Sequence, residues 1–192
     1  MMASFIITFV ATALLMPPSG SIRQAKASKI MQASRQIGLC LFAYSNDHNG
    51  KYPVGKSSTE IFQQLIDQNY VSDPSVFYFT MMGKTKPLSN KLKPENVCFD
   101  VTNGVLPDDP DGLPIVFSTG YKIDYIQGGE ARHLANGDPN GIAVCFKSLS
   151  AAFLRAQPEG VPLFPPFGGS PTSNFDPKSR TYQQLTPDGP LH

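Results

Sequence analysis

The sequence predicts an α+β fold: one long N-terminal helix, apolar and then amphipathic, packed on a small antiparallel β-sheet, with an irregular proline-rich C-terminal tail. Three observations predict it. Residues 1–16 carry no charge, and beyond Pro17 and Pro18 apolar residues recur mostly at helical spacing as far as residue 44. Between residues 113 and 147, three short β-branched or aromatic runs are separated by glycine-rich turns. From residue 157 on, eight of the 18 prolines fall in the last 36 positions. A chain of 192 residues is one domain's worth, and 41% hydrophobic with 16% charged residues suits a folded core. A formal net charge of +1 gives no strongly basic face, so no nucleic-acid partner is expected.

Residues 1–17 are expected to form an apolar membrane-anchor helix carried by Phe5, Ile6, Ile7, Phe9, Val10, Leu14 and Leu15. Sixteen helical residues reach about 24 Å, short of the roughly 20 residues that span a bilayer core. A secretory signal peptide needs a basic stretch before its apolar run, and none precedes this one. A buried core helix of a soluble protein would normally keep one polar face. The expectation is therefore an anchor that has lost its first residues, with membrane lipid as a partner.

Pro17 and Pro18 end or kink this run. Residues 18–50 continue as an amphipathic helix of about six turns, with Arg23, Lys26, Lys29 and Arg35 between the apolar positions. Its expected packing stripe is Ile30, Ala33, Ile37, Leu41 and Tyr44. The turn-forming residues 45–50 stop it, Asn49-Gly50 offering a left-handed C-cap, and Pro53 biases Tyr52 to an extended conformation. His48 has no partner at i±4, so it reads as a solvated turn histidine rather than a ligand.

Residues 51–156 form the expected globular head. Ser57 and Glu60 fit a capping box that opens a helix over residues 58–68, with Ile61, Phe62, Leu65 and Ile66 as its apolar face. Residues 75–82 are expected to be a strand whose Phe77, Tyr78 and Phe79 fill core. Strands are expected over 113–118, 121–127 and 141–147, the first two joined by a tight hairpin at Ser118-Thr119-Gly120. Residues 148–155 read as one or two helical turns. The tail, 157–192, is expected to lie irregularly across the sheet through Phe164, Phe167 and Phe175.

Gln36-Ile37-Gly38-Leu39, Ala43-Tyr44 and Asn46-Asp47-x-Asn49-Gly50-x-Tyr52-Pro53 follow Leu14-Leu15-Met16-Pro17 and a basic amphipathic stretch. Tyr70-Val71-Ser72-Asp73-Pro74 then follows the short helix. This order and spacing resemble type IV pilin-like proteins over about residues 10–80, most of all the type II secretion pseudopilin-like proteins abundant in planctomycetes and verrucomicrobia. The resemblance implies a pilin-like fold and a non-enzymatic, membrane-anchored subunit of a type II secretion or type IV pilus-like filament. Its partners would be other pilin-like subunits and the inner-membrane assembly machinery. The implied location is the bacterial inner membrane, single-pass, with the head facing the periplasm or exterior. Two departures stand out: the family's basic leader and cleavage glycine are missing, and no glutamate precedes residue 60. The cations directly after the apolar run would by themselves hold the head on the cytoplasmic side. The alternative is a tethered or secreted binding module that shares the helix and does not assemble.

No catalytic residue is expected. The chain has three histidines and no G-x-S-x-G, H-E-x-x-H or Walker pattern. Cys145 with His133 is a conceivable nucleophile pair, but Cys145 lies in an apolar strand and reads as core. Cys98 and Cys145 could pair in an oxidising compartment, and buried free thiols are the expected state. For cofactors the expectation is none, with one candidate: Asp108, Asp109 and Asp111 cluster three carboxylates of the kind calcium takes on loops. The major pseudopilins hold calcium in a late loop, which the resemblance would extend to this cluster. The same Asp-Pro-Asp-Gly is also an ordinary turn sequence.

Overall fold

The computed structural model describes residues 19–126, 129–158, 160–162 and 182–191. Apolar residues spaced three and four apart produce helix α1, Ser19–Asp47. Its 29 residues make a rod about 43 Å long at ~1.5 Å per residue. Ile30, Ile37, Leu41 and Tyr44 are buried along one stripe, with Ala33 partly buried beside them, as the spacing predicts. Asn49 (φ 55°) and Gly50 (φ 80°) take the left-handed conformation that ends it, and the Gly50 amide returns to the Ser45 carbonyl at 2.7 Å. Helix α2, Ser58–Asp67, starts where the Ser57 hydroxyl accepts the Glu60 amide at 3.2 Å. The Glu60 carboxylate accepts from the Lys56 amide at 2.8 Å, one residue earlier than a standard capping box. Phe62 on its inner face stacks on Phe77 with ring centroids 4.6 Å apart.

Nine strands follow among the described residues: β1 Phe99–Asn103, β2 Pro114–Ser118, β3 Tyr121–Ile123, β4 Glu130–His133, β5 Gly141–Phe146, β6 Ala151–Arg155, β7 Val161–Pro162, β8 Gln183–Thr186 and β9 Gly189–Pro190. Six make an antiparallel sheet in the order β6-β5-β2-β1-β8-β9, and β3-β4-β7 form a second, smaller one. Helix α1 lies over β2, β5 and β6, while α2 touches β1 and β8. On the other face, Phe117, Ile142, Val144 and Phe146 of the large sheet meet Tyr121, Ile123, Ala131 and Val161 of the small one. The result is three layers, with helices on one side of the large sheet and a sheet on the other. Strand β5 explains its own composition: Ala143 and Cys145 face the helices while Ile142, Val144 and Phe146 face the small sheet, so every position is buried.

Several expectations are corrected. Residues 75–82 are not a strand: Pro74–Phe77 is a 3-10 turn capped by Asp73, whose carboxylate accepts the Ser75 amide. An Asp-Pro start favours a turn over the β-propensity of the aromatic run behind it. Ser118-Thr119-Gly120 is not a hairpin between paired strands. It is a corner at which the chain leaves the large sheet for the small one, with Gly120 at φ 93° and the Thr119 amide on the Cys98 carbonyl. Residues 148–155 are not helical, because Leu149 at φ 62° turns the chain back and β6 pairs with β5 from Ala151 to Arg155. The tail is not irregular throughout: β8 is an inner strand hydrogen-bonded to β1. Phe164, Phe167 and Phe175 lie outside the described residues.

The single-pass inner-membrane placement is also overturned. Among the described residues no helix is long and apolar enough to cross a membrane. The one helix of sufficient length, α1, carries four cations between residues 23 and 35, each of which would have to be taken into hydrocarbon. The seven expected anchor residues, from Phe5 to Leu15, lie outside the described residues.

Candidate functional site

The aspartate cluster was the strongest sequence candidate for a ligand site, and the structure fills it from within. Asp109 is buried, accepting the Leu106 amide and the Tyr182 hydroxyl at 2.7 Å each. The Lys147 ammonium donates to the carbonyls of Pro107 (2.9 Å) and Asp109 (2.6 Å) and lies 3.9 Å from the Asp111 carboxylate. A side-chain cation thus occupies the carbonyl pocket of the loop, while the residues Asp108 and Asp111 are exposed. Among the described residues no group of three or more His, Cys, Asp or Glu is placed to hold a metal.

The other reactive side chains are used for packing. His48 is not solvated as expected: its ring stacks on Tyr44 at 3.9 Å, with Nδ1 2.8 Å from the Tyr44 carbonyl oxygen. The C-cap folds the chain back and lays the imidazole on the preceding helical turn. Cys40, Cys98 and Cys145 are all free thiols. Burial pushes Cys98 up to about 11 and Cys145 up to about 12, so neither is a thiolate nucleophile at neutral pH. Cys145 faces α1, whereas His133 is exposed on the small sheet and packs edge-on against Tyr121, so the large sheet separates the two.

One buried group escaped the sequence reading. Asp100 on β1 is 1% exposed and points between the sheets, since its neighbours Phe99 and Val101 point to the helices. One carboxyl oxygen accepts the Gln184 amide at 2.7 Å, and the other has no partner among the described residues. The same Gln184 nitrogen lies 2.6 Å from the Tyr121 carbonyl, and its oxygen accepts the Ile123 amide at 3.0 Å, which ties β8 to β3. Beside it, the Thr102 and Tyr125 hydroxyls are 2.7 Å apart. Burial pushes the Asp100 pKa up to about 7, against the lowering pull of the Gln184 amide and the polar Thr119 side chain. The two sheets are thus joined by apolar packing under β2 and β5 and by a polar lock under β1 and β8. Nothing in an FDVTN strand distinguishes this lock from a solvent-facing edge until β8 covers it.

What remains open to a partner surrounds α1. Residues 20–26 are exposed at every position, so the first turns of the helix lie at the margin of the layers below. On its outward face Leu39 and Phe42 are 46% and 41% exposed, one helical turn apart. The inward stripe that is apolar from Ile30 onward continues toward the N-terminus as Arg23 and Lys26. There the helix overhangs β6 and the loop before β5, leaving a groove of about 570 Å³ floored by Ile30 and Phe153 and edged by Arg23, Lys26, Arg155 and Asp138. Lys26 pairs with Asp138 at 3.1 Å. Burial raises the Asp138 pKa, but hydrogen bonds from Asn140 and Lys26 outweigh it and hold the carboxyl low. Arg23 and Arg155 make no ion pair among the described residues, so the groove keeps two uncompensated guanidinium groups. A second groove of about 500 Å³ lies beside Lys29, Lys86, Tyr78 and Phe79.

The chain matches no family model, no curated protein and no solved structure.

Proposed function

We propose that the protein is a non-enzymatic, pilin-like structural subunit that assembles through α1 into a fibre of the type II secretion or type IV pilus-like kind. The observation that carries this reading is the division of α1. From Ile30 onward one face is sunk in the head, while residues 20–26 are exposed at every position. A helix that served only its own core would end where the sheet ends. The outward Leu39 and Phe42 add a pair of apolar contacts on the same rod, of the sort that interfaces between copies bury. The pilin-like sequence order over about residues 10–80 points the same way.

The test is sedimentation velocity and negative-stain electron microscopy of the full chain across a range of protein concentrations. Concentration-dependent linear oligomers are expected, shifted to higher concentration by Leu39→Glu with Phe42→Glu. A chain that stays monomeric at every concentration would overturn the reading and favour a binding module that uses the grooves beside α1.

A further inference from the structure

Strand β6 is an edge of the large sheet, and among the described residues it is the longest edge strand. At the other edge of that sheet β9 has two residues and ends in Pro190, and the outer strands of the small sheet have three and two. Edges are usually blunted by shortness, proline, charge or a bulge. The Ala-Ala-Phe-Leu run of β6 has none of these, and it pairs with β5 over five residues without a register shift. The amides of Phe146 and Ala156 bond to the carbonyls of Ser150 and Asn140, which brackets that ladder. Its alternation therefore turns the amides and carbonyls of Ala152 and Leu154 toward β5, and those of Ala151, Phe153 and Arg155 outward. Among the described residues no backbone partner meets these outward groups.

Ala152 and Leu154 pack toward the small sheet, whereas Phe153 packs on the helix side and lines the groove under α1 together with Arg155. A strand added along β6 places its residues opposite Phe153 and Arg155 on that same side. There they meet the apolar floor and the guanidinium groups of Arg155 and Arg23, while the carboxylate of Asp138 is already held by Lys26. A second copy pairing along β6 would bring the same unpaired cations to the seam. We propose that β6 instead receives an extended acidic segment of a partner protein as an added strand. An apolar side chain lies opposite Phe153 and a carboxylate two positions away, facing Arg155 and Arg23. Main-chain hydrogen bonds supply the affinity and the groove supplies the sequence preference. The recognised pattern is apolar-x-acidic in a parallel strand and acidic-x-apolar in an antiparallel one. This inference does not depend on fibre assembly, since a chain that stays monomeric keeps the same edge and groove.

The experiment uses the full chain and a fluorescein-labelled peptide, TDTLTDT, whose carboxylates stand at the second position on either side of leucine and so fit both strand directions. Saturable binding by anisotropy is expected, weakening at least about fivefold between about 0.1 M and about 1 M salt. The isomer TTDLDTT turns its carboxylates to the opposite face and should bind at least about fivefold more weakly. The same loss is expected for TDTLTDT with an N-methylated leucine, which lacks one strand donor. R23Q/R155Q with native far-ultraviolet circular dichroism should also bind at least about fivefold more weakly. Should that variant misfold, a TKTLTKT peptide carries the charge test on wild type and must lose binding. Amide exchange supplies a separate readout. The Ala151, Phe153 and Arg155 amides should exchange freely in the dilute chain and slow when the peptide binds, while Ala152 and Leu154 stay protected throughout. No saturable binding up to about 1 mM peptide, or equal binding of both isomers, refutes the proposal. Outward amides already protected in the dilute chain show an edge covered from within, and protection that grows with protein concentration alone assigns the edge to a second copy. Either of these results also overturns it.

Discussion

Gly38 is a point of close approach between α1 and the sheet, and replacing it with alanine sets two effects of known size against each other. A Cβ built there would lie 2.5 Å from the Cys145 Sγ, roughly 1 Å inside ordinary van der Waals contact, with the Ile115 Cδ1 at 3.7 Å. Helix propensity alone favours alanine over glycine in a helix interior by about 1 kcal/mol. Overpacking a filled core costs about 1–3 kcal/mol. Cys145 and Ile115 are 0% and 1% exposed, so neither the thiol nor the strand has solvent to move into. With no room to relax, the clash should cost the upper part of that range, about 2–3 kcal/mol, so Gly38→Ala should lower stability by about 1–2 kcal/mol net. Cys145→Ala removes the clashing atom and leaves the strand Cβ 3.5 Å from the new methyl, an ordinary contact. The double variant should therefore be more stable than the sum of the single effects by at least about 1 kcal/mol. Urea unfolding of the four chains, followed by far-ultraviolet circular dichroism, closes the cycle. A Gly38→Ala chain as stable as wild type, or additivity in the double variant, would refute close helix–sheet contact at this point.

Two further outcomes follow from the buried polar groups. Asp100 titrates in the folded chain near 7, above its ordinary 3.8. The folded state therefore holds this proton more tightly than the unfolded state does. The stabilising contribution is complete below about pH 4, fades as pH rises through about 7, and amounts to a few kcal/mol. Asp100→Asn should flatten that part of the stability–pH curve in urea titrations, and an unchanged slope would show that the carboxyl ionises freely in the native state. Lys147→Met leaves the Pro107 and Asp109 carbonyls without their donor, and two lost charged hydrogen bonds point to a loss of about 2–4 kcal/mol, with faster amide exchange over residues 105–112. Wild-type exchange rates there would show that the ammonium does not hold the loop.

Local signals carried much of the fold. The stripe Ile30, Ile37, Leu41 and Tyr44, the Asn49-Gly50 stop and the Ser57 cap rest on interactions within a few residues, and each is where the spacing puts it. The apolar run of β5 marked a strand but left its layers open, because burial on both faces erases the alternation that would reveal one wet side. The short strands β6 and β8 were illegible for a different reason. Their pairing partners lie far away or across a left-handed Leu149, and β-pairing is a property of the partner as much as of the strand.

The candidate sites divide in the same way. Sequence by itself determined the helix, its four cations and the acidic loop, since residue type and spacing suffice to place charge along a rod. It also pointed to calcium at Asp108, Asp109 and Asp111, because clustered carboxylates look alike whether they bind a metal or not. Only the tertiary structure brought Lys147 from the end of β5 into that loop and covered Asp100 with Gln184 from the far end of the chain. Only the tertiary structure, too, ended the sheet below Ile30 so that Arg23 and Lys26 overhang it. Which groups share a low-dielectric space is decided by contacts between residues distant in sequence, and those contacts set both the protonation of a carboxyl and the charge a groove presents.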